Sequence, residues 1–365
     1  MTTINPSTPN PPAAKVKDRL AGLRGILTRF TTPLLPDDYA VMLNPLWSTR
    51  ELRGSIDSVR KEGDVAHLVI TPGWGVPTTF EAGQYIGIGV EINGRYTWRS
   101  YSLTNAPGTS NGKLSITVRA VEKGKLSNHL VSTIAPGTTV RLAAPAGDFH
   151  LTNPLPEKIA FICAGTGITP VISMLRTLNE RGQFDNTHVT LIYSVHDRNQ
   201  LFFGDEILAL AERTPNFHPH IQITSDNGRI TPDNIATICP DITERTIYAC
   251  GPAAMLNDYE HWAKEHNLIL RTERFTLERD SDAQGGDIDF GNGRHTHADG
   301  ATTILEAGEN AGVQLPFGCR MGICHTCTRT LSKGHALNLV TGEEHEEGAR
   351  IRTCVSVACG NIAIS

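Results

Sequence analysis

The stretch "LPFGCRMGICHTCTRTL", residues 315–331, carries three cysteines in a short loop. Cys319 and Cys324 enclose four residues, Cys324 and Cys327 enclose two, and Cys354 follows later in "IRTCVSVACG". This is the ligand spacing of a plant-type [2Fe-2S] cluster, whose iron is held by soft thiolates. Zinc is the competing metal, but zinc ribbons use two paired C-x-x-C units and this chain has one. The spacing therefore predicts these four cysteines as the ligands of a [2Fe-2S] cluster.

A further cysteine, Cys359, lies five residues after Cys354 and competes with it for the fourth ligand position. Cys359 directly precedes a Gly–Asn pair and the final segment "NIAIS", which indicates a turn followed by a terminal strand. We therefore predict that Cys359 is structural or exposed, and the ligand spacing favours Cys354.

The residues that lead into the cysteines, "ILEAGENAGVQLPFGCRMGICHTC", together with the later "TC", resemble the plant-type ferredoxin domain. The resemblance covers the chain from about Asp287 to its end and implies a β-grasp fold. His325 departs from the pattern, because many members of this family have a small residue there. Arg320, Met321 and His325 belong to the rim of the loop, which we expect to contact a partner protein.

The composition bounds the class of protein. The 365 residues include 39% hydrophobic residues and carry a formal net charge of -5, which allows two or three globular domains and gives no general attraction to nucleic acid. The first residues, "MTTINPSTPNPPAAK", lack the apolar core of a secretory signal, and no segment approaches the ~18 apolar residues of a membrane span. We therefore expect a soluble, cytoplasmic protein without a nucleic-acid partner, in which clustered cysteines are metal or redox groups.

Residues 1–50 are predicted to form an N-terminal arm with a basic amphipathic helix. In "KVKDRLAGLRGILTRF", residues 15–30, apolar residues recur at helical spacing while lysines and arginines occupy other positions. Such a helix either packs on its own domain or docks on a membrane surface or an acidic partner.

Three folded units are predicted after the arm. Residues 51–153 alternate short β-branched and aromatic segments with Gly and Pro turns, which is typical of an antiparallel barrel. Residues 154–277 alternate brief apolar runs with helical patterns, which predicts a parallel sheet with covering helices. Residues 278–286 are predicted to be a polar linker before the ferredoxin-like unit, residues 287–365. The predicted fold class is therefore multidomain α/β and β.

The barrel unit carries the motif "WRSYSLTNAP" on a predicted strand. Alternation along a strand places Arg99 and Tyr101 on one face, where they are able to meet a phosphate and a planar ring. Downstream, "EKGKLSNHL" places Gly124 and Ser127 where a turn becomes a helix. Ser127 is predicted to be the N-cap of that helix, beside free N–H groups that hold a pyrophosphate.

Together with "FEAGQY" and "PAGDF", these motifs resemble the flavin barrel of the ferredoxin–NADP reductase superfamily. The resemblance implies that Arg99 contacts the flavin pyrophosphate, Tyr101 packs on the isoalloxazine and Ser102 lies near its N5. It implies FAD as the flavin, although some reductases of this superfamily use FMN. The expected flavin-binding residues are Arg99, Ser100, Tyr101, Ser102, Gly124, Lys125 and Ser127.

The next unit carries "FICAGTGITP", residues 161–170, in which a strand ends at Cys163 and a glycine loop follows. Thr169 and Pro170 are predicted to be the N-cap and first turn of the next helix, so that N–H groups and the helix dipole face a phosphate. The motif lacks the third glycine of the dinucleotide fingerprint. The expected phosphate-binding residues are Gly165, Thr166, Gly167, Thr169 and Pro170.

"AGTGITP" and the later "YACGPAAML" resemble the two nicotinamide-domain signatures of the same superfamily. Cys250, Gly251 and Pro252 are predicted to close a strand and open a helix, and the resemblance implies that this corner lies beside the nicotinamide. The catalytic residues are therefore expected to be Tyr101, Ser102 and Cys250. Cys163 and Cys239 are predicted to be small buried thiols.

The choice between NADH and NADPH depends on the residues at the end of the second strand of the nicotinamide unit. In "LIYSVHDRNQLFFGDE", that position is Ser194, with His196 and Arg198 close behind. A hydroxyl and basic groups suit a 2'-phosphate, whereas an acidic residue accepts from a ribose 2'-OH. The pattern favours NADPH, with Ser194 and Arg198 as cofactor-binding residues, although Asp197 argues the other way.

Donor, flavin and cluster signatures in one chain indicate a reductase. A nicotinamide delivers two electrons as hydride, an iron–sulfur cluster accepts one at a time, and a flavin does both. The expected function is therefore electron transfer from NADPH through FAD and the [2Fe-2S] cluster to another protein.

The acceptor protein is inferred from a resemblance. The region "TTPLLPDDYAVMLNPLWSTRELRG", residues 31–54, resembles actinobacterial reductases that serve membrane-bound diiron acyl-CoA Δ9-desaturases in fatty acid metabolism. This implies a desaturase partner and peripheral contact of residues 15–30 with the inner face of the membrane. The alternatives are an NADH-dependent reductase of a ring-hydroxylating dioxygenase or multicomponent monooxygenase, and a redox-sensing flavin and iron–sulfur binding protein.

Overall fold

The computed structural model describes residues 36–92, 95–122, 124–275, 285–300, 302–317, 322, 325–339 and 341–365. Several predicted features lie outside these residues: the basic helix over residues 15–30, most of the linker over residues 278–286, and the side chains of Cys319, Arg320, Met321 and Cys324. None of the helices in the described part of the chain is long and apolar enough to cross a membrane.

The first unit is an antiparallel six-stranded sheet in the order β4-β3-β6-β1-β2-β5. An antiparallel bridge between Leu103, just after β4, and Ile116 on β5 brings the two ends of the sheet together. The predicted antiparallel barrel is therefore confirmed. Its strands are β1 Arg53–Glu62, β2 Val65–Pro72, β3 Tyr85–Ile92, β4 Arg95–Ser102, β5 Leu114–Arg119 and β6 Thr139–Leu142, and its helix is α2 Lys125–Ser132.

The core of this unit forms where apolar side chains of the strands meet helix α2. Leu126 and Leu130 of the helix are buried in the same cluster as Ile86 and Ile116 of the strands. Gly89 on β3 faces Trp98 on β4, and a Cβ at Gly89 would lie 2.4 Å from the indole ring. Glycine is therefore required at this position for the tryptophan to lie across the neighbouring strand.

The segment ahead of the barrel packs on its outer surface. Helix α1, Pro36–Leu43, is followed by a 3-10 turn, Pro45–Trp47. Trp47 stacks on Trp74 with ring centroids 5.2 Å apart, and the backbone N–H of Trp74 donates to the carbonyl of Leu46. The described part of the N-terminal arm is thus attached to the barrel.

The second unit is a five-stranded parallel sheet in the order β11-β10-β7-β8-β9, as predicted. The strands consist of near-continuous apolar runs such as "KIAFICA", because helices cover both faces of the sheet and bury them. The strands are β7 Lys158–Ala164, β8 His188–Val195, β9 Phe217–Ile223, β10 Thr246–Cys250 and β11 Leu270–Glu273. The helices are α3 Ile168–Glu180, α4 Gly204–Arg213, α5 Thr224–Asn227, α6 Pro232–Ile238 and α7 Ala253–Glu265.

The third unit is a mixed sheet with one helix, in the order β13-β12-β17-β14-β15, with β16 paired to β14. Strands β12 and β17 are parallel, while the other pairs are antiparallel. The helix begins with a capping box between Thr303 and Glu306. The strands are β12 Gly286–Asp289, β13 His295–Ala298, β14 Thr328–Asn338, β15 Glu344–His345, β16 Arg350–Arg352 and β17 Ser356–Ile364, and the helix is α8 Ile304–Asn310.

Three local predictions were wrong. Ser127 is not the N-cap of α2, because Gly124 takes the extended N-cap conformation and Ser127 lies inside the first turn. Thr169 is not the N-cap of α3, because a 3-10 turn over Gly165–Gly167 runs directly into the helix at Ile168. Cys359 does not precede the terminal strand but lies within β17, opposite His335.

Candidate functional site

Strand β4 places the predicted flavin residues at one end of the barrel. The guanidinium of Arg99 is exposed and donates one hydrogen bond, of 2.8 Å, to the carbonyl of Trp98. Tyr101 is half-buried against the barrel core, and this burial raises the pKa of its phenol well above the ordinary value, although Arg99 opposes the shift. Tyr101 therefore stays neutral and offers a ring face beside a cation.

Ser102 ends strand β4 with its side chain inside the protein. The residue is only 4% exposed, and its Oγ has no hydrogen-bond partner among the described residues. A buried hydroxyl without a partner costs free energy unless a ligand supplies one. This hydroxyl without a described partner fits the role that the resemblance implies for Ser102, close to the flavin N5.

A cavity of about 1240 Å³ opens in front of β4. Its basic side chains are Arg50, Arg99, Lys125 and Arg141, and it also contains Glu51 and Glu309. Arg141 lies 3.8 Å above the ring of Tyr96 and pairs with Glu51 at 2.7 Å, so its guanidinium is held in place. The cationic groups of this cavity suit a pyrophosphate, with Arg99 and Lys125 as the basic pair of the predicted set.

The turn before α2 requires glycine at position 124. A Cβ there would lie 2.4 Å from both the hydroxyl of Ser127 and a methyl group of Val121. The hydroxyl of Ser127 instead lies 3.4 Å from the N–H of Val121, so it stabilises the turn that leads into the helix. The structure thus brings Gly124, Lys125 and Ser127 together at the N-terminus of α2, in an arrangement different from the predicted cap.

The same cavity is lined by the third unit. Val313, Gln314, Leu315, Phe317 and Thr326 face the barrel residues across it. Phe317 directly precedes the cysteine loop and is 38% exposed. Two of the predicted flavin-binding residues, Arg99 and Lys125, therefore line the same cavity as residues next to the predicted cluster loop.

The glycine turn and the Cys250 corner of the parallel sheet lie in contact. Gly165 has a φ of 56°, and its carbonyl accepts a 3.2 Å hydrogen bond from the hydroxyl of Tyr193. A Cβ on Gly167 would lie 2.0 Å from the carbonyl oxygen of Cys250, so only glycine permits the two segments to approach this closely. Thr166 belongs to the same turn and accepts from the hydroxyl of Thr169 at 2.9 Å.

Cys250 closes β10, and α7 begins at Ala253, so the predicted strand-to-helix corner at Cys250, Gly251 and Pro252 is confirmed. Burial raises the pKa of the Cys250 thiol well above its ordinary value, and the nearby carboxyl of Glu273 adds to the shift. This shift favours the neutral thiol, which suits a shape-filling group beside a planar ring. Cys163 and Cys239 are buried, as predicted.

Glu273 was missed in the sequence and lies at this site. It ends β11 directly beside Cys250, and its Oε1 lies 3.9 Å from the position of a Cβ on Gly147 of the barrel motif "PAGDF". Its Oε2 is buried without a partner among the described residues, and burial raises the pKa of the carboxyl to about 8. The available signal was a carboxylate at the carboxyl end of a strand, which becomes informative only when the strand order is known.

The residues predicted to select NADPH lie at the same edge of the sheet. Ser194 is the second-last residue of β8, and Arg198 opens a 3-10 turn, Arg198–Gln200, that follows it. The carbonyl of His196, which lies between β8 and this turn, accepts from the N–H of Ser225 on α5, just after β9. Strands β10, β7 and β8 are neighbours in the sheet, so the glycine turn lies between Cys250 and Ser194.

Two of the four predicted cluster ligands converge in the described residues. The Sγ atoms of Cys327 and Cys354 lie 3.1 Å apart, and both side chains are buried. The hydroxyl of Thr353 donates to the carbonyl of Cys327 at 3.0 Å, and Arg352 donates to the carbonyl of Gly322 within the loop. Two buried thiols lie close together, and hydrogen bonds hold the backbone around them. This arrangement fits the soft thiolate ligands of an iron–sulfur cluster. His325 on the rim is exposed and has a φ of 58°.

Comparison with known protein families matches all three units. Residues 76–151 match an oxidoreductase FAD-binding domain, residues 161–261 an oxidoreductase NAD-binding domain, and residues 288–359 a 2Fe-2S iron-sulfur cluster binding domain. These matches confirm the FAD, nicotinamide and [2Fe-2S] units expected from the sequence.

Relatives match along the whole chain. An NADPH oxidoreductase of Mycobacterium tuberculosis is 46% identical, with 100% of this chain and 98% of the relative covered. The glycine betaine monooxygenase reductase subunit of Pseudomonas aeruginosa is 25% identical, with 88% and 98% covered. The solved structure of phthalate dioxygenase reductase has the same fold, with a TM-score of 0.61, 23% identity, and 86% of this chain and 98% of that chain covered. The chain therefore belongs to the ferredoxin–NADP reductase family, as an NAD(P)H-dependent flavoprotein oxidoreductase with a C-terminal 2Fe-2S domain.

Proposed function

We propose that this protein carries electrons from NADPH through FAD and a [2Fe-2S] cluster to a membrane-bound diiron acyl-CoA desaturase. A bound flavin would supply the conversion between two-electron transfer from the nicotinamide and one-electron transfer to the cluster. The observation that carries the proposal is the shared cavity, in which Arg99 and Lys125 of the barrel face Phe317 and Thr326 of the cluster unit. A single chain then contains the nicotinamide site, the flavin site and the iron–sulfur cluster from which electrons leave for the acceptor.

The residues of the chain bind, orient and exclude water in this scheme. Arg99, Lys125 and the N–H groups at the start of α2 hold the flavin pyrophosphate, and Tyr101 covers the ring. The hydroxyl of Ser102 donates to the flavin N5 position. The N–H groups of the Gly165–Gly167 turn would bind the dinucleotide phosphates, and the thiol of Cys250 would close the nicotinamide corner against water.

The preference for NADPH rests on the residues after β8. Ser194 and Arg198 offer a hydroxyl and a guanidinium to a 2'-phosphate, and no carboxylate occupies the position of Ser194. Asp197 lies near the exposed His196, with 3.9 Å between the ring nitrogen and the carboxylate. The Mycobacterium tuberculosis relative is named an NADPH oxidoreductase, which supports the same preference.

The desaturase assignment rests on the N-terminal region. Tyr39, Met42 and Leu43 are spaced to share one face of α1, and they are 42%, 75% and 82% exposed. In the sequence, α1 follows residues 15–30 after residues 31–35, and residues 15–30 combine an apolar stripe with basic residues. An exposed apolar face that follows a basic segment along the chain suits peripheral contact with an anionic membrane surface, where a membrane-bound acceptor lies.

A second candidate is an NADH-dependent reductase component of a ring-hydroxylating dioxygenase or a multicomponent monooxygenase. The match to the glycine betaine monooxygenase reductase subunit over 88% of this chain favours it. In this case the apolar face of α1 has no membrane role. A redox-sensing protein that binds the same cofactors is a third possibility, and it requires negligible turnover.

The testing experiment compares acceptors with the purified holoprotein. Under anaerobic conditions, NADPH should reduce the flavin faster than NADH at equal concentration, and cytochrome c should be reduced over many turnovers. In a separate aerobic assay, with O₂ as the terminal oxidant, anionic vesicles carrying an acyl-CoA desaturase should desaturate the fatty-acyl chain only when the reductase and NADPH are both present. Reduction of the flavin without any turnover would indicate a sensor, and turnover with a soluble oxygenase but not with the desaturase would establish the second candidate.

The membrane contact has its own control. Deleting residues 1–30, or making the double substitution Met42→Ser and Leu43→Ser, should lower desaturase-supported turnover and vesicle binding while cytochrome c reduction stays unchanged. If vesicle binding and desaturase turnover also stay unchanged in both variants, the membrane role of this region is wrong.

A further inference from the structure

Helix α3 contacts both half-sites of the reductase. Its first residue, Ile168, follows the Gly165–Gly167 turn that is proposed to hold the dinucleotide phosphates. Five residues further along the helix, the buried hydroxyl of Ser173 donates a 2.8 Å hydrogen bond to the carbonyl of Asn105. Asn105 belongs to the barrel and lies three residues after Ser102.

Arg176, one turn after Ser173, makes the second contact with the barrel. Its Nη1 donates to the carbonyl of Thr104 at 2.6 Å. Its Nε and Nη2 both donate to the carboxylate of Glu206 on α4, each at 2.7 Å. The guanidinium also lies 5.2 Å from the ring centroid of Phe203. A planar guanidinium in a bidentate pair has one fixed orientation, so its remaining donor holds the Thr104 carbonyl in one place.

The barrel segment held by these two residues is rigid. The N–H of Thr104 donates to the carbonyl of Ser115, and the side chain of Asn105 accepts from the N–H of Ser115 and donates to the carbonyl of Lys113. Thr104 and Asn105 are both buried. A displacement of this segment therefore moves the end of β4 with it, including the proposed flavin residues Tyr101 and Ser102.

We propose that Ser173 and Arg176 are positioning residues, which fix the nicotinamide phosphate turn relative to the flavin strand through one rigid helix. The distance from Ile168 to Arg176 is eight helical residues, or about 12 Å. Hydride transfer requires reacting atoms about 3 to 3.5 Å apart, and a misplacement of about 1 Å lowers the rate about 100-fold. The inference rests on the proposed binding of the flavin at β4 and of the dinucleotide at the glycine turn.

Ser173 and Arg176 should affect the relative orientation of the two cofactors and not the affinity for either of them. Neither Ser173 nor Arg176 belongs to the glycine turn, to the Ser194–Arg198 segment or to the cavity in front of β4. Loss of either side chain should therefore leave the affinity for NADP⁺ and the FAD content unchanged. It should lower the rate of flavin reduction at saturating NADPH, which is a change in kcat rather than in KM.

Arg245 provides a matched control within the same domain. It donates to the carboxylate of Asp241 at 2.7 Å and to the carbonyls of Ile159 and His188 at 3.0 Å, so it has the same kinds of partner as Arg176. All of these partners lie in the parallel-sheet unit, and none belongs to the barrel. Arg245→Met should therefore lower stability without changing the relation between the two domains.

The experiment compares the holoprotein with Arg176→Met, Ser173→Ala and Arg245→Met. In Arg176→Met, flavin reduction should slow about 10- to 100-fold, the dissociation constant for NADP⁺ should stay within about twofold, and amide hydrogen exchange over residues 103–106 should become faster. Ser173→Ala, which keeps the buried volume close to native, should show the same pattern with a smaller loss. Arg245→Met should lower Tm with the reduction rate and the exchange at residues 103–106 unchanged.

Two results would overturn the inference. If Arg176→Met and Ser173→Ala reduce the flavin at the native rate while only Tm falls, both side chains are merely structural. If slower reduction comes with an equally weakened affinity for NADP⁺, the residues act on binding and not on orientation. Absence of flavin reduction by NADPH in the native protein would instead reject the proposed function, and this inference with it.

Discussion

Cys250 and Glu273 are direct neighbours across the parallel pairing of β10 and β11, at the carboxyl end of both strands. The carboxyl of Glu273 also approaches Gly147, so it lies where the barrel meets the nicotinamide unit. Both side chains are kept in their neutral forms by burial. The proposed nicotinamide corner thus contains a neutral thiol and a neutral carboxyl, so that no negative charge would face the electron-rich reduced ring.

Glu273 makes the stability of the protein depend on pH. Its pKa is raised from the model-peptide value of 4.5 to about 8 in the folded protein, so the folded state binds more protons than the unfolded state between these pH values. Stability is therefore fully present below pH 4.5 and is lost as the pH rises towards 8, by at most about 1.4 kcal/mol per pH unit. Glu273→Gln should remove this loss, and Tm measured between pH 5 and 9 should fall less steeply in the variant.

The control for Glu273 is Glu265→Gln. Glu265 is exposed on α7 and, among the residues that the structure describes, forms an ion pair with the exposed His261 at 3.3 Å. An exposed pair contributes little, so this variant should keep the native dependence of Tm on pH. Equal slopes in the native protein and Glu273→Gln would show that the carboxyl is ionised and solvated in the fold.

Ser102→Ala should raise the stability of the flavin-free protein and slow flavin reduction in the holoprotein. Without flavin, the buried hydroxyl has no partner among the described residues, so its removal should raise stability by about 1 kcal/mol. With flavin bound, the variant loses a donor to the reacting centre, and flavin reduction by NADPH should slow about 100-fold. Thermal unfolding of the flavin-free protein and stopped-flow absorbance of the holoprotein measure the two effects.

Ser58→Ala is the matched control for Ser102, because Ser58 is exposed on β1 of the same barrel. It should leave both quantities within experimental error. A loss of stability in flavin-free Ser102→Ala would show that the hydroxyl already has a partner in the absence of the flavin.

The parts of the fold that follow from local chemistry were predictable from the sequence. Cysteine spacing identified Cys327 and Cys354, and Gly–Pro punctuation identified the corner that follows Cys250. The cap of α2 was predicted incorrectly because a serine near a helix start caps it only if its own backbone is extended, and here Gly124 takes that conformation. Glu273 was not predictable, because its burial depends on β11 pairing with β10 across a long sequence separation.

His67 makes the interface between the barrel and the nicotinamide unit sensitive to acid. Its Nδ1 lies 2.9 Å from the hydroxyl of Thr117, and its ring packs edge-on to Phe203 at 5.4 Å. Burial lowers the pKa of the imidazole to about 4, with Arg60 and Arg176 adding to the shift and Glu206 opposing it. Although Glu62 lies 3.5 Å from Nε2, it is exposed and does not outweigh the burial.

The dependence of stability on pH that His67 causes has the opposite sign to the one that Glu273 causes. The unfolded imidazole takes up a proton near pH 6.5 and the folded one near pH 4, so the stability it contributes is present above pH 6.5 and is lost as the pH falls through 4. His67→Gln should flatten the fall of Tm between pH 6.5 and 4. His261→Gln, at an exposed position, should leave the decrease in Tm unchanged. If His67→Gln shows the same decrease in Tm as the native protein, other groups cause it.

Cys354 and Cys359 should respond differently to substitution by serine. The Sγ of Cys354 converges with that of Cys327, whereas Cys359 lies on β17 opposite His335 and is half-buried. Serine is a poor ligand for iron compared with a thiolate, so Cys354→Ser should lose most of its bound iron and the visible absorbance of the cluster. Cys359→Ser should keep native iron content and lose no more than about 0.5 kcal/mol of stability. Both variants should still bind FAD and reduce it with NADPH, because none of the predicted flavin-binding or nicotinamide-binding residues belongs to the cluster unit. Loss of iron in Cys359→Ser, with retention in Cys354→Ser, would reverse the assignment of the fourth ligand.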